Sequence, residues 1–293
     1  MSVISFRTGG CSMKHSFSFF FLVSFFVLAG TCPAAELPMA LDQKALQIIF
    51  SGPEKMHYSI SWSGGIKIGD LYLTLSPVDS GDGLAITAKV TDYGVFHFFY
   101  PVNDTFVTFI KGPRYLPYRY EVHQLEGGHV NTHRLTNYDQ ERLTVVYQKN
   151  DEPQKKYSLT GTAYNEFSSF FITRALRLTP EKEEIVPTFV DEKRHEVAVK
   201  DLGTEIRKTL FGSVDTIKVL PEMNFKGLYD KDGETMFWLT NDECRIPVEI
   251  NSKIMIGSLV AELVEYSNPS CSRAEKKTSA NSLFSLTSVR LSK

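Results

Sequence analysis

Between Tyr58 and Val90 the chain alternates apolar and polar residues in steps of two. Tyr58, Ile60 and Trp62 alternate with Ser59, Ser61 and Ser63; Leu71, Leu73 and Leu75 alternate with Asp70, Tyr72 and Thr74; Ile86, Ala88 and Val90 stay in phase. This period is that of a strand with one buried face. Gly64-Gly65, the run Asp79-Ser80-Gly81-Asp82-Gly83, and Glu126-Gly127-Gly128 between strands at 118–123 and 130–136 supply turn chemistry. The densest signal lies at 237–263, three short strands joined by two tight turns. There Ile246, Val248 and Ile250 point one way and Arg245 and Glu249 the other, with Asn241-Asp242-Glu243 and Asn251-Ser252-Lys253 turning the chain. Further strands are predicted at 142–148, 196–200, 205–211 and 214–220.

Three stretches depart from the alternation. Residues 40–50 read as a short amphipathic helix or a strand before the breaker Ser51-Gly52-Pro53. Segments 96–100 and 106–110 are rich in apolar residues, break the strict alternation, and read as a connection, helical in part, packed on a sheet face. Phe167, Phe170, Phe171, Ala175 and Leu176 recur mostly three and four apart, which predicts a helix over 165–178. Roughly ten strands with one or two short helices imply a mainly β fold: a single curved antiparallel sheet, as an open β-roll or half-barrel. The helix at 165–178 would plug its concave side. The predicted domain runs over 41–266, followed by a Ser-, Lys- and Thr-rich tail at 267–293 expected to be flexible.

The N-terminus has a different character. Lys14 and His15 precede an apolar run over 19–30, then small residues and Glu36. A basic start, a short apolar stretch and a small-residue exit describe a secretory signal peptide over 1–35, with Met13 a plausible start and cleavage after Ala34 or Ala35. The run is shorter than the ~20 residues that span a bilayer. Cys32 follows Leu28-Ala29-Gly30-Thr31, so lipidation at Cys32 and a membrane-anchored lipoprotein form the alternative to a free periplasmic protein. After cleavage Cys244 and Cys271 remain; a disulfide between them and two free thiols are both open readings.

Composition narrows the function classes. The 293 residues carry 32 Lys and Arg against 34 Asp and Glu, a formal charge of −2 that argues against nucleic-acid binding. His129 and His133, four apart on a strand, stand ~13 Å apart and cannot share one metal. No Gly-x-Ser-x-Gly elbow and no Gly-rich phosphate loop occurs. Cys244 sits beside Glu243 and Arg245 among strands, and the carboxylates Asp242, Glu243 and 181–184 fall in turns or a charge run. No catalytic residue, metal site or cofactor is therefore assigned. Aromatic enrichment, 21 Phe and 13 Tyr, is the remaining lead. It reads as core packing or as the lining of an apolar cavity, with Phe167, Phe170 and Phe171 as ligand contacts and Arg174 and Arg177 meeting an anionic headgroup.

With the strands placed, a resemblance emerges. Tyr58-Ser-Ile-Ser-Trp62-Ser-Gly64-Gly-Ile66-Lys-Ile-Gly69, Phe211-Gly212-Ser-Val-Asp215-Thr-Ile-Lys-Val-Leu-Pro221, and Trp238-Leu-Thr-Asn241-Asp242-Glu-Cys-Arg245-Ile-Pro247 with Ile256-Gly257-Ser258 through Leu263 resemble the successive signatures of the bacterial family called domain of unknown function 3108. The resemblance implies an exported protein of the Gram-negative envelope, with a β-rich roll similar to periplasmic lipoprotein carriers and no assigned catalytic residues. The expectation is a non-enzymatic periplasmic protein binding a lipid or other amphipathic envelope component. A scaffold for other envelope proteins and an envelope hydrolase are the alternatives.

Overall fold

The computed structural model describes residues 39–273, apart from 80, 95, 100, 129, 224–233 and 255–256. The segment read as a signal peptide, Cys32, His129 and the tail beyond 273 lie outside the described residues. The elements are α1 (Gln43–Phe50), β1 (Glu54–Trp62), β2 (Ile66–Pro77), β3 (Leu84–Asp92), α2 (Phe96–Phe99), β4 (Asn103–Lys111), β5 (Leu116–Glu126), β6 (Val130–Asp139), β7 (Thr144–Lys149) and β8 (Lys155–Ser158). There follow α3 (Glu166–Arg174), β9 (Glu184–Val190), β10 (Lys193–Thr209), β11 (Gly212–Glu222), β12 (Thr235–Thr240), β13 (Pro247–Lys253) and β14 (Ser258–Ser267).

All fourteen strands form one sheet in the order β8-β7-β6-β5-β4-β3-β2-β1-β14-β13-β12-β11-β10-β9. Every neighbour is antiparallel, as short hairpin turns require. The sheet is two meanders, β1–β8 and β9–β14, sewn together where β1 pairs with β14. Its two edges, β8 and β9, are consecutive in the chain and linked through α3. The sheet stays open along this seam. Backbone fills part of it: Tyr164 N donates to Pro187 O at 2.8 Å, and Phe189 N to Tyr164 O at 2.7 Å. Side chains close the rest, with Lys155 3.0 Å from Glu192 and the Tyr157 hydroxyl donating to the same carboxylate. The expected single curved antiparallel sheet, an open roll with short helices, is what the chain forms.

The concave face holds the core. Met56, Tyr58, Leu73, Leu75, Ile86, Ala88, Phe106 and Ile110 line it and are buried. One end of the roll is stopped by α1 and α3. Asp42 caps α1, its carboxylate accepting from Lys44 N and Ala45 N. Asn165 caps α3 in a reciprocal box with Ser168. The helix ends at Arg174 with Ala175 as C-cap, shorter than the predicted 165–178. Phe50 and Phe171 meet between the helices, and Leu46, Ile49, Ile172 and Leu176 complete the plug.

Several expectations are corrected. Segment 106–110 is strand β4, not part of a connection. Phe106, Thr108 and Ile110 face inward while Val107 and Phe109 stay half-buried outside, so apolar residues on both faces hid the period of two. Segments 196–200 and 205–211 belong largely to one strand, β10, irregular between Asp201 and Thr204, where Gly203 takes φ 93°. Strands β8 and β9 went unpredicted: β8 is four polar-leaning residues, and β9 carries Pro187, tolerated because β9 is an edge. The tail is anchored as far as 273. Asn268 and Cys271 are buried, Asn268 Nδ2 donates to Ile48 O at 3.2 Å, and Cys244 and Cys271 form a disulfide.

Candidate functional site

The expected headgroup contact Arg174 is a core residue. Its side chain is 0% exposed and sits bidentate on Glu54, also 0% exposed, at 2.7 and 2.8 Å. Its Nε donates to Arg245 O at 3.0 Å, and the Tyr266 hydroxyl donates to Glu54 at 2.8 Å. Burial opposes the Arg174 charge, but Glu54 outweighs it and holds the guanidinium above its ordinary pKa. This network ties α3 to β1, β14 and the β12–β13 turn, with no face left for a ligand. Arg177 is exposed beyond the end of α3, where its N–H donates to Ala40 O at 2.7 Å. Phe171 is fully buried against Phe50, Phe170 packs on Phe237 at 5.3 Å, and Phe167 on Phe106 at 5.3 Å. The predicted group is thus a packed plug and not the lining of a space.

The space lies next to it. A cavity of about 330 Å3 opens between β5, β6 and β7 on one side and the end of β9 on the other, beside the first turn of α3. Tyr120, Val122, Tyr138, Phe189 and Val190 form apolar walls; Arg134, Thr136, Tyr147, Glu166, Asp191 and Glu192 supply the polar ones. Its position follows from strand period. Tyr120 and Val122 share the inward phase of β5, and Arg134, Thr136 and Tyr138 that of β6. Val190-Asp191-Glu192-Lys193 is a two-residue hairpin in which Asp191 and Glu192 both take positive φ, 49° and 61°. That turn normally selects Asn or Gly. Glu192 nevertheless reaches across the seam to Tyr157 and Lys155, which fixes one edge of the opening.

Charge in the cavity is uneven. Burial raises the Glu166 carboxyl from 4.5 to about 7, against the pull of its own helix backbone and of Arg134. Burial likewise lifts the Tyr138 and Tyr147 hydroxyls above 10.0, so both remain donors at neutral pH. Glu192 is held below its ordinary value, first by the Tyr157 hydrogen bond, with Lys155 adding to it. Arg134 donates through Nη2 to Gln124 at 2.8 Å, while its Nε is buried and meets no acceptor. A buried donor of that kind favours an added acceptor. The arrangement offers four hydroxyl groups, on Tyr120, Thr136, Tyr138 and Tyr147, with one cation and carboxylates at the lip around apolar walls. That suits a small amphipathic molecule better than a reaction needing a paired nucleophile and base.

Sequence reasoning missed these residues because they are scattered over four strands, a helix and a turn. One signal was present. Arg134 occupies an inward position of β6, where a charged residue needs a reason. His133, on the opposite face, stacks on His123 at 4.4 Å. Among the described residues no group of three or more His, Cys, Asp and Glu could hold a metal ion.

Comparison with known proteins bears on the fold and family. The model of a family described as protein of unknown function, DUF3108, matches residues 57–264. No curated protein sequence matches the chain. The solved structure of a beta-barrel-like protein of domain of unknown function DUF1849 from Brucella abortus is similar in fold, with TM-score 0.50 and 8% identity over 79% of this chain and 99% of that one. A hypothetical protein, CT021, from Chlamydia trachomatis matches at TM-score 0.34 and 7% identity over 78% and 94% of the respective chains.

Proposed function

This chain belongs to the DUF3108 family of proteins of unknown function, and we propose that it is a non-enzymatic protein of the bacterial envelope that holds a small amphipathic molecule in the cavity beside α3. The observation that carries the reading is the cavity itself. About 330 Å3 of space with apolar walls and a polar lip survives beside the plug that α1 and α3 form at one end of the roll. Its volume stands at the lower end of the range for small-molecule sites. The occupant is therefore one small ligand or one segment of a lipid. The lip carries Glu166, Asp191 and Glu192 against one Arg134. Glu192 is paired with Lys155 and Tyr157, so the polar group of the ligand is neutral, and an acceptor on it meets the buried Nε of Arg134. The export signature at the N-terminus supports the envelope as the setting.

A scaffold that offers a sheet edge to another protein is less well supported. Edge β8 is four residues long with Lys155 and Lys156 on it, and edge β9 already receives Tyr164. Short, charged or covered edges resist strand addition.

The test is gentle purification of the complete chain expressed in a Gram-negative host, followed by native mass spectrometry and extraction of bound small molecules. A stoichiometric ligand is expected. Thr136→Trp, which fills the cavity from an inward position of β6, should expel it without lowering the unfolding temperature by more than a few degrees. An empty parent protein that binds nothing from an envelope extract would sink the proposal. Turnover of an envelope substrate abolished by Glu166→Gln would overturn its non-enzymatic part.

A further inference from the structure

The roll has a second end, opposite the plug, where the β1–β2, β3–β4, β5–β6 and β13–β14 connections meet. Burial along β1 declines toward it, from Glu54 and Met56, which are buried, to Trp62 at 39% exposure. Beyond Trp62, Ile66 is 64% exposed, Tyr93 52% and Phe98 86%. These residues share one continuous rim. Ser63 N donates to Ser258 O at 2.7 Å, Tyr93 N to Ile68 O at 2.8 Å, and Gly127 N to Pro101 O at 2.9 Å. Lys67 Nζ lies 4.2 Å from the centre of the Tyr93 ring. Gly257, at φ 84°, lies against the Trp62 indole so closely that an added Cβ would be 2.7 Å from Nε1. The indole is thus held at the rim by backbone.

Charge is one-sided on the two tips that carry these side chains. Residues 62–69 and 93–102 contain no Asp or Glu and carry Lys67 and His97, whereas the neighbouring β5–β6 tip follows Glu126, and Glu234 stands exposed beside Lys253. The carboxylates at the base of these two tips are covered by neighbouring side chains. The Asp70 side chain is 10% exposed and bonded to His57 and Lys67, both within 2.9 Å; that of Asp92 is 9% exposed and bonded to His97 at 2.8 Å. Four large apolar side chains of this exposure on neighbouring hairpin tips exceed what scattered surface residues require.

We infer that this rim docks on a phospholipid bilayer surface, inserting Trp62, Ile66, Tyr93 and Phe98 to headgroup depth. Trp and Tyr have amphipathic rings that settle at a membrane interface. The β1–β2 and β3–β4 tips carry no carboxylate and can enter a headgroup layer without desolvating one. The docking stands independently of any occupant of the cavity.

The chain has two tryptophans, Trp62 on the rim and Trp238 buried in β12. Trp238→Phe therefore leaves Trp62 as the sole reporter. Protein produced from the complete chain would be mixed with vesicles of phosphatidylethanolamine and phosphatidylglycerol, some brominated on the acyl chains. Trp62 emission should shift to the blue and be quenched by the brominated lipid. Combined Ile66→Asp and Phe98→Asp substitutions should weaken sedimentation with vesicles by roughly tenfold or more, with an unchanged circular dichroism spectrum and melting curve. Unquenched Trp62, or a doubly substituted protein that sediments as before, would overturn the inference. Self-association in the absence of vesicles that these substitutions abolish would assign the rim to a second copy and also overturn it. Loss of cavity binding in Thr136→Trp with vesicle binding intact would separate this result from the previous proposal.

Discussion

Replacing Arg174 with Met probes the division between plug and ligand site. Both Arg174 and Glu54 are 0% exposed and joined by two hydrogen bonds. The substitution keeps much of the apolar stem and removes the cation. Glu54 is left in the core with the Tyr266 hydroxyl as its remaining donor among the contacts above, and Arg245 O loses the bond from Nε. Breaking a buried ion pair from one side costs about 3–5 kcal/mol, because a desolvated charge is stranded. A typical domain is stable by about 5–15 kcal/mol, so roughly a fifth or more of that margin is at stake. Adding Glu54→Gln to Arg174→Met removes the stranded charge and should recover part of the loss. The assay is equilibrium urea unfolding followed by circular dichroism, comparing midpoints at constant slope. A loss below about 1 kcal/mol in Arg174→Met, or a double variant no more stable than the single one, would refute the argument.

Three further outcomes are expected. Reducing the Cys244–Cys271 disulfide, which closes a separation of 27 residues, should lower stability by about 3.5 kcal/mol if chain entropy dominates, measured as a shift in the urea midpoint with and without dithiothreitol. The folded state raises the Glu166 pKa from 4.5 to about 7. Folding thus favours its protonated form, and this contribution is complete below 4.5 and lost as pH rises through about 7. Parent stability should therefore fall across that window by no more than about 3 kcal/mol relative to Glu166→Gln; equal pH profiles would contradict the assignment. Mass spectrometry of mature protein from a periplasmic extract should place its first residue at Ala35 or Glu36, whereas an acylated start at Cys32 would make it a tethered lipoprotein.

Much of the architecture was legible along the chain wherever one face of a strand is apolar and the other polar. β1, β2, β3, β5 and β13 could be read from their alternation, and the three- and four-residue spacing of Phe167, Phe170, Phe171, Ala175 and Leu176 announced α3. Local signals failed where a strand is apolar on both faces, as in β4, or short and polar, as in β8. The disulfide partner of Cys244 was among the readings the sequence offered, but the partner of Arg174 was a different matter. A helix sequence shows that Arg174 is on α3, but not that Glu54, 120 residues earlier, waits opposite it in the core. The cavity has the same origin: Tyr120, Arg134, Tyr147, Glu166 and Asp191 are ordinary at their own positions. They become neighbours because the sheet curls until β7 faces the end of β9 across an open seam. The sequence alone carried the antiparallel strands and their turns, since these depend on residues within a few positions of one another. Only the tertiary structure decided which aromatics are plug and which are wall, because burial of a side chain is set by the element packed against it from elsewhere in the chain.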